Sequence, residues 1–185
     1  MIATVCLLVW MIVATATDIW QQKIYNWTTY SGILVAFSLA MLATVFDRTM
    51  FSEIGIGQST IGFAACGGIM LVCFVLFEIG GGDVKLLAMI GAFLGPSSGI
   101  ETLLWTFVIG GASALVILIW KIGAVKLARR VVHQLMCKLG MGTWDSLSNE
   151  EKTQLQLPLF LAPAALMAVL IVRFSLVEYL SGRFP

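Results

Sequence analysis

Charge is what this sequence has least of. Only 11% of its 185 residues are charged, and 11 Lys and Arg against 10 Asp and Glu leave a formal net charge of +1. Nucleic acids and acidic polymers are held by clustered cations, so a chain this sparsely charged offers them no footing. Histidine occurs once, at His133, and the four cysteines (Cys6, Cys66, Cys73 and Cys137) form no Cys-x-x-Cys pair and no ligand cluster with it. A zinc site is therefore not expected, and Cys66 and Cys73, two turns apart on one apolar run, read as small buried thiols. No glycine-rich dinucleotide motif follows a strand, so no cofactor is expected either. The two halves show no internal similarity, which leaves out the usual sign of an inverted-repeat transporter.

Apolar side chains, by contrast, make up 59% of the sequence, more than a soluble domain of this length hides in one core. The expected fold class is an all-α, multi-pass membrane protein forming a single domain over residues 1–185. Apolar runs place spans near residues 2–17, 27–46, 60–77, 83–95, 100–120 and 158–176, six transmembrane helices in all. No basic residue precedes the first run, which argues for a retained helix over a cleaved secretory signal. Lys23, Lys85 and the basic residues of 121–152 (Lys121, Lys126, Arg129, Arg130, Lys138 and Lys152) fall on one side, against Arg48, Arg173 and Arg183 on the other. The excess puts the first group in the cytoplasm and both termini outside. Within the cytoplasmic loop 121–157, Ile122, Val125, Val132 and Met136 interleave with the cations at helical spacing, the pattern of a basic amphipathic helix lying on the inner membrane surface or docking a substrate. Ser148-Asn149-Glu150-Glu151 has a capping-box pattern that makes its acids helix starters.

Two acids stand where acids are costly. Asp18 follows the first apolar run, and Asp83 follows Gly80-Gly81-Gly82 at the mouth of the fourth. At about 1.5 Å per residue the first run reaches Asp18 after roughly 24 Å, inside a hydrocarbon layer of roughly 30 Å. The fourth run is only roughly 20 Å long, so Asp83 is expected within the membrane or under a thinned patch, on the same cytoplasmic half. An ionisable residue at such a depth is a candidate functional group whose partner has to be named, and here each acid is the candidate partner of the other. The three glycines are expected to break the helix, and irregular backbone at membrane depth is tolerated where it is packed in protein or lines a wet cavity.

Two carboxylates within a few ångströms share one proton between them, giving an acid and a base side by side. The ionised member can take a proton from water while the protonated member polarises a carbonyl, without metal or covalent intermediate. The plainer reading gives both acids structural work, Asp18 as a helix-end group bonded to backbone and Asp83 as the N-cap of the fourth helix.

Gly80-Gly81-Gly82-Asp83-Val84-Lys85-Leu86-Leu87 resembles the Gly-x-Gly-Asp-x-Lys-Leu signature of the type IV prepilin peptidases, and Asp18 with Lys23-Ile24-Tyr25-Asn26 resembles their first motif. Tyr25 stands where that motif commonly has proline, a variation in the loop beside the acid. Leu157-Pro158-Leu159 to Ala165 is similar to the Pro-containing opening of the family's last span. The resemblance runs over nearly the whole chain and implies an intramembrane aspartyl endopeptidase of the minimal form, without the Cys-x-x-Cys domain that methylates the new amino terminus, similar to those of tight-adherence or Flp pilus systems. It implies Asp18 and Asp83 as the catalytic dyad, with Gly80, Gly82, Lys85, Lys23 and Asn26 shaping the site or lying near substrate. Lys85 reads equally as a cation snorkelling to the interface, and Glu78 as an interfacial acid or a contact for a basic leader. The implied partners are membrane lipid and pilin-like precursors, each a short basic leader followed by an apolar helix, cut at the cytoplasmic face of a prokaryotic inner membrane.

Two other classes remain open on the residues alone. A small proton-coupled transporter or channel also needs buried acids beside glycine-broken helices. A non-catalytic membrane protein of pilus assembly is the other. Gly91 and Gly95 form a Gly-x-x-x-Gly pair that permits close helix packing.

Overall fold

In the computed structural model the described residues are 2–21, 25–46, 51–77, 80–122 and 161–174. Everything regular among them is helical: α1 (Ile2–Gln21), α2 (Asn26–Phe46), α3 (Ile56–Phe77), α4 (Gly81–Ile122) and α5 (Leu161–Arg173). Four of the five are long and apolar enough to cross a membrane, and α5 is a shorter apolar helix. The chain separates into two compact units, Met1–Ile109 with Phe160–Pro185, and Gly110–Leu159. Of the second unit only the 110–122 continuation of α4 is described. Lys23, Glu78, the amphipathic pattern of 121–138 and the capping-box acids lie outside the described side chains.

In the first unit, α1 packs against both α2 and α5, and α2 against α3. Leu7, Met11 and Ala14 recur on one face of α1 at spacings of four and three, and this stripe is buried. The beginning of α4 behaves differently: residues 86–93 are buried without interruption. A helix apolar on every side is one surrounded by protein, so the stretch that follows Asp83 is the central element of the unit. Large apolar groups on the remaining faces, among them Val5, Leu34, Val75 and Val108, are exposed, as suits helices whose outer surface meets hydrocarbon.

Glycine brings α3 and α4 together. A Cβ on Gly91 would collide with the Gly62 carbonyl and come within 2.8 Å of the Cys66 side chain. Their backbones are therefore in direct contact, and Ser59 Oγ donates to the Ala92 carbonyl across the same seam at 2.7 Å. Small residues permitting such approach are the usual means of packing helices in lipid.

The spans expected at 83–95 and 100–120 form one element with a sharp break inside it. Gly95 has φ 78° and ψ −178°, a backbone conformation L side chains rarely adopt, and helix resumes at Pro96, whose missing N–H costs nothing in a first turn. The break is a reversal: a Cβ on Gly99 would lie 3.1 Å from Gly91 Cα, whereas eight residues of unbroken helix rise roughly 12 Å. The turn expected over 96–99 is therefore helical, and the change of direction is concentrated at one glycine.

Two further boundaries differ from expectation. Helix α1 continues to Gln21, placing Asp18 inside its last turns. The glycine run does not interrupt a helix but opens one, since Gly81 and Gly82 already belong to α4. Asp83 is accordingly a first-turn residue, not the N-cap, a role that passes to Gly80. The backbone N–H of Asp83 donates to the Gly80 carbonyl at 3.0 Å, closing the first turn over it.

Candidate active site

Asp18 is the only buried carboxylate among the described residues, with 7% of its surface exposed. Its position near the C-terminus of α1 is unfavourable for an anion, because the unpaired carbonyls there carry partial negative charge. The opposing term comes from α5. Asp18 Oδ2 accepts a hydrogen bond from the backbone N–H of Ala162 at 3.2 Å, in the first turn of that helix. First-turn N–H groups have no partner inside their own helix and carry partial positive charge, so a buried carboxylate is suited to receive one. The plainer structural role foreseen for Asp18, a helix-end acid bonded to backbone, is thus real, with the backbone drawn from a distant part of the chain.

Asp83 is half-buried in the first turn of α4, where the helix dipole favours negative charge. Its carboxylate folds back over Gly80: a Cβ on Gly80 would stand 3.1 Å from Asp83 Oδ2. The absence of a side chain at Gly80 leaves room for the acid to lie against backbone. Gly82 sits in the same turn. The two acids lie at the same end of the unit: Asp18 is bound by Ala162 of α5, and Lys85, two residues after Asp83, is bound by Asn26 at the start of α2, the helix that follows α1. The C-terminus of α1 thus touches the N-terminus of α5 at Asp18, and the N-terminus of α4 touches that of α2 through Lys85.

Lys85 and Asn26 are also united. Lys85 Nζ donates to Asn26 Oδ1 at 2.7 Å and lies 4.9 Å from the centre of the Tyr30 ring. Lys85 thus makes a specific pair of contacts with the first two turns of α2. Two participants, Ala162 and Tyr30, were not marked by sequence reasoning. Tyr30 was accessible to it, since it lies four residues after Asn26 and so on the same helix face. Ala162 was not, because it acts through a backbone N–H, which every non-proline residue has.

Among the described residues no group of three or more His, Cys, Asp or Glu side chains is arranged to hold a metal ion. The two acids have unlike surroundings, Asp18 bound by a backbone N–H of α5 and Asp83 lying over Gly80.

Fold and site together define a helical, multi-pass membrane protein with a pair of carboxyl groups drawn to one end of its bundle. The model of the type IV leader peptidase family matches residues 5–115, more than half of the chain and both acids included, and the protein belongs to that family. No curated protein and no solved structure matches the chain.

Proposed function

We propose that this protein is a membrane-embedded aspartic endopeptidase that removes the short basic leader from type IV pilin-like precursors at the cytoplasmic face of a prokaryotic inner membrane, with Asp18 and Asp83 as its dyad. The observation that carries the reading is the placement of the two acids at the same end of the first unit, Asp18 bound by the Ala162 N–H of α5 and Asp83 in the turn that Lys85 ties to Asn26 at the start of α2. Family membership supports the reaction class and the kind of substrate. The reversal at Gly95 supports counting α4 as two crossings, which with α5 gives six and leaves both termini outside.

In the reaction, the ionised carboxylate takes a proton from a water molecule as the water oxygen attacks the scissile carbonyl carbon. The protonated carboxyl donates its proton to the carbonyl oxygen, giving a neutral gem-diol. Collapse of that intermediate breaks the C–N bond, the leaving nitrogen takes a proton from the first acid, and the other recovers one from a diol hydroxyl. Each proton moves between the two carboxyls and the substrate, so no metal or cofactor is required.

The test is cleavage of a leader-bearing pilin precursor by the purified protein in liposomes. Asp18→Asn and Asp83→Asn are each expected to reduce the rate at least about 1,000-fold while the protein stays folded and inserted, because the chemistry needs both groups as a unit. Wild-type cleavage by either variant would end the proposal.

A further inference from the structure

Lys85 follows Asp83 by two residues on the same helix, and that spacing decides what it can do. Residues two apart point to different sides of a helix, so Lys85 does not face the acid it accompanies in sequence. It leaves α4 toward α2, where its ammonium donates to Asn26 Oδ1 at 2.7 Å and lies 4.9 Å from the centre of the Tyr30 ring. Both partners are in the first turns of α2, just past the connector that follows Asp18's helix. Lys85 thus ties the turn that carries Asp83 to the segment that succeeds Asp18.

This tie crosses a weak place. The first turn of α4 is Gly81-Gly82-Asp83, and glycines with no side chain to pack leave the backbone free to shift. A Cβ added at Gly81 would meet, among the described residues, only the Phe74 ring, at 3.9 Å. The buried run that fixes α4 begins at Leu86, beyond the acid. Among the described residues, Lys85 is the side chain between the glycines and the packed helix with a directional bond to another element.

The geometry points to Lys85 as a positioning residue: through Asn26 and the Tyr30 face it holds the glycine-rich first turn of α4 so that Asp83 is presented to Asp18. The inference rests on the peptidase reading above for its kinetic consequence, but the positional claim is independent of it. A dyad that must share a proton is sensitive to misplacement, since a shift of about 1 Å can cost about 100-fold in rate.

The test has two arms, both with the full chain in liposomes. In the first, Lys85→Met and Asn26→Ala are each expected to lower kcat for a leader-bearing precursor about 10- to 100-fold with KM within about twofold, because the interaction acts on alignment and not on substrate affinity. The double variant is expected to be no slower than the worse single, the signature of two residues working through one contact. Lys85→Arg keeps a donor for Asn26 and a cation for the Tyr30 face, and is expected to recover most of the rate. Unchanged kcat in Lys85→Met, or losses that multiply in the double variant, would overturn the assignment.

The second arm needs no cleavage. With the native cysteines replaced by serine, Asp18→Cys and Asp83→Cys are joined by a short bifunctional thiol reagent, and Lys85→Met is expected to slow the joining at least about fivefold by letting the turn wander. Equal rates with and without Lys85 would refute the positional claim, whereas loss of coupling in a protein that cleaves nothing would uphold it and count against the peptidase reading alone.

Discussion

Asp18 accepts its hydrogen bond from the backbone of Ala162, 144 residues further along the chain. One atom of the candidate dyad is therefore part of the contact that seats α5 on α1. The two functions can be separated by substitution. Asparagine keeps an oxygen to receive the Ala162 N–H, whereas alanine leaves that donor buried and unpaired, at a cost of about 1–3 kcal/mol. Asp18→Asn and Asp18→Ala are both expected to be inactive, but only Asp18→Ala should be destabilised to that extent. Thermal unfolding in detergent micelles measures the difference.

The α3 and α4 seam makes a sharper demand. At Gly91 an added methyl group meets the Gly62 carbonyl and Cys66, and neither backbone can retreat without opening the seam. Overpacking of this kind costs about 1–3 kcal/mol, or more where backbone is the obstacle. Gly91→Ala is expected to lower the unfolding midpoint accordingly. Gly68, in α3 with open space where a Cβ would stand, supplies the control. Gly68→Ala should be neutral or stabilising by up to about 1 kcal/mol, the ordinary helix preference for alanine.

How far these features could be read in advance depended on their physical origin. Long apolar runs made α1 to α3 legible to within a few residues, because burial in lipid leaves few other solutions for twenty such residues. Asp18, Asp83 and Gly80 stood out for the same reason: acids and glycines are costly there and require an explanation. The glycine run misled as to where α4 begins, since Gly81 and Gly82 have weak helix preference but sit in a first turn, where their N–H groups need no helical partner. The reversal at Gly95 was half visible in the Gly-Pro pair, and its concentration into one residue came from packing against Gly62. The Ala162 contact, made by backbone and joining the ends of the chain, had no signal at all.

At the other end of α5, Arg173 makes a two-pronged ion pair with Glu53, one of its bonds measuring 2.7 Å. The Arg173 hydrogen bond holds the Glu53 carboxyl below its ordinary range, against the smaller opposing effect of burial. A carboxyl whose folded-state pKa is depressed contributes stability that is fully present above its unfolded value and is lost as pH falls through the folded one. Stability is therefore expected to decline below about pH 4, and Glu53→Gln should remove that part of the decline. Glu53 is 53% exposed, so solvent screening limits the effect to less than about 1 kcal/mol. Chemical denaturation of both proteins across pH 3 to about 6 checks sign and size.

Gly80 and Gly81 differ by one position and by what surrounds them, and this gives the most discriminating test of the site. A methyl group on Gly80 would come to 3.1 Å from Asp83 Oδ2, tighter than ordinary contact, so the carboxylate must move by a few tenths of an ångström or rotate away from the backbone it lies against. The same group on Gly81 meets only a ring carbon of Phe74 at 3.9 Å, an ordinary contact. Both substitutions add one methyl at the start of α4, at its N-cap for Gly80, where alanine costs up to about 1 kcal/mol, and at its first residue for Gly81. If Asp83 is one half of a proton-sharing dyad, displacing it costs rate, and Gly80→Ala should lower kcat about 10- to 100-fold, with a loss of stability no larger than the roughly 1 kcal/mol that alanine costs at an N-cap. Gly81→Ala should cleave within about twofold of wild type. Equal activity in the two variants would mean that the lie of the Asp83 carboxylate over Gly80 has no part in the chemistry.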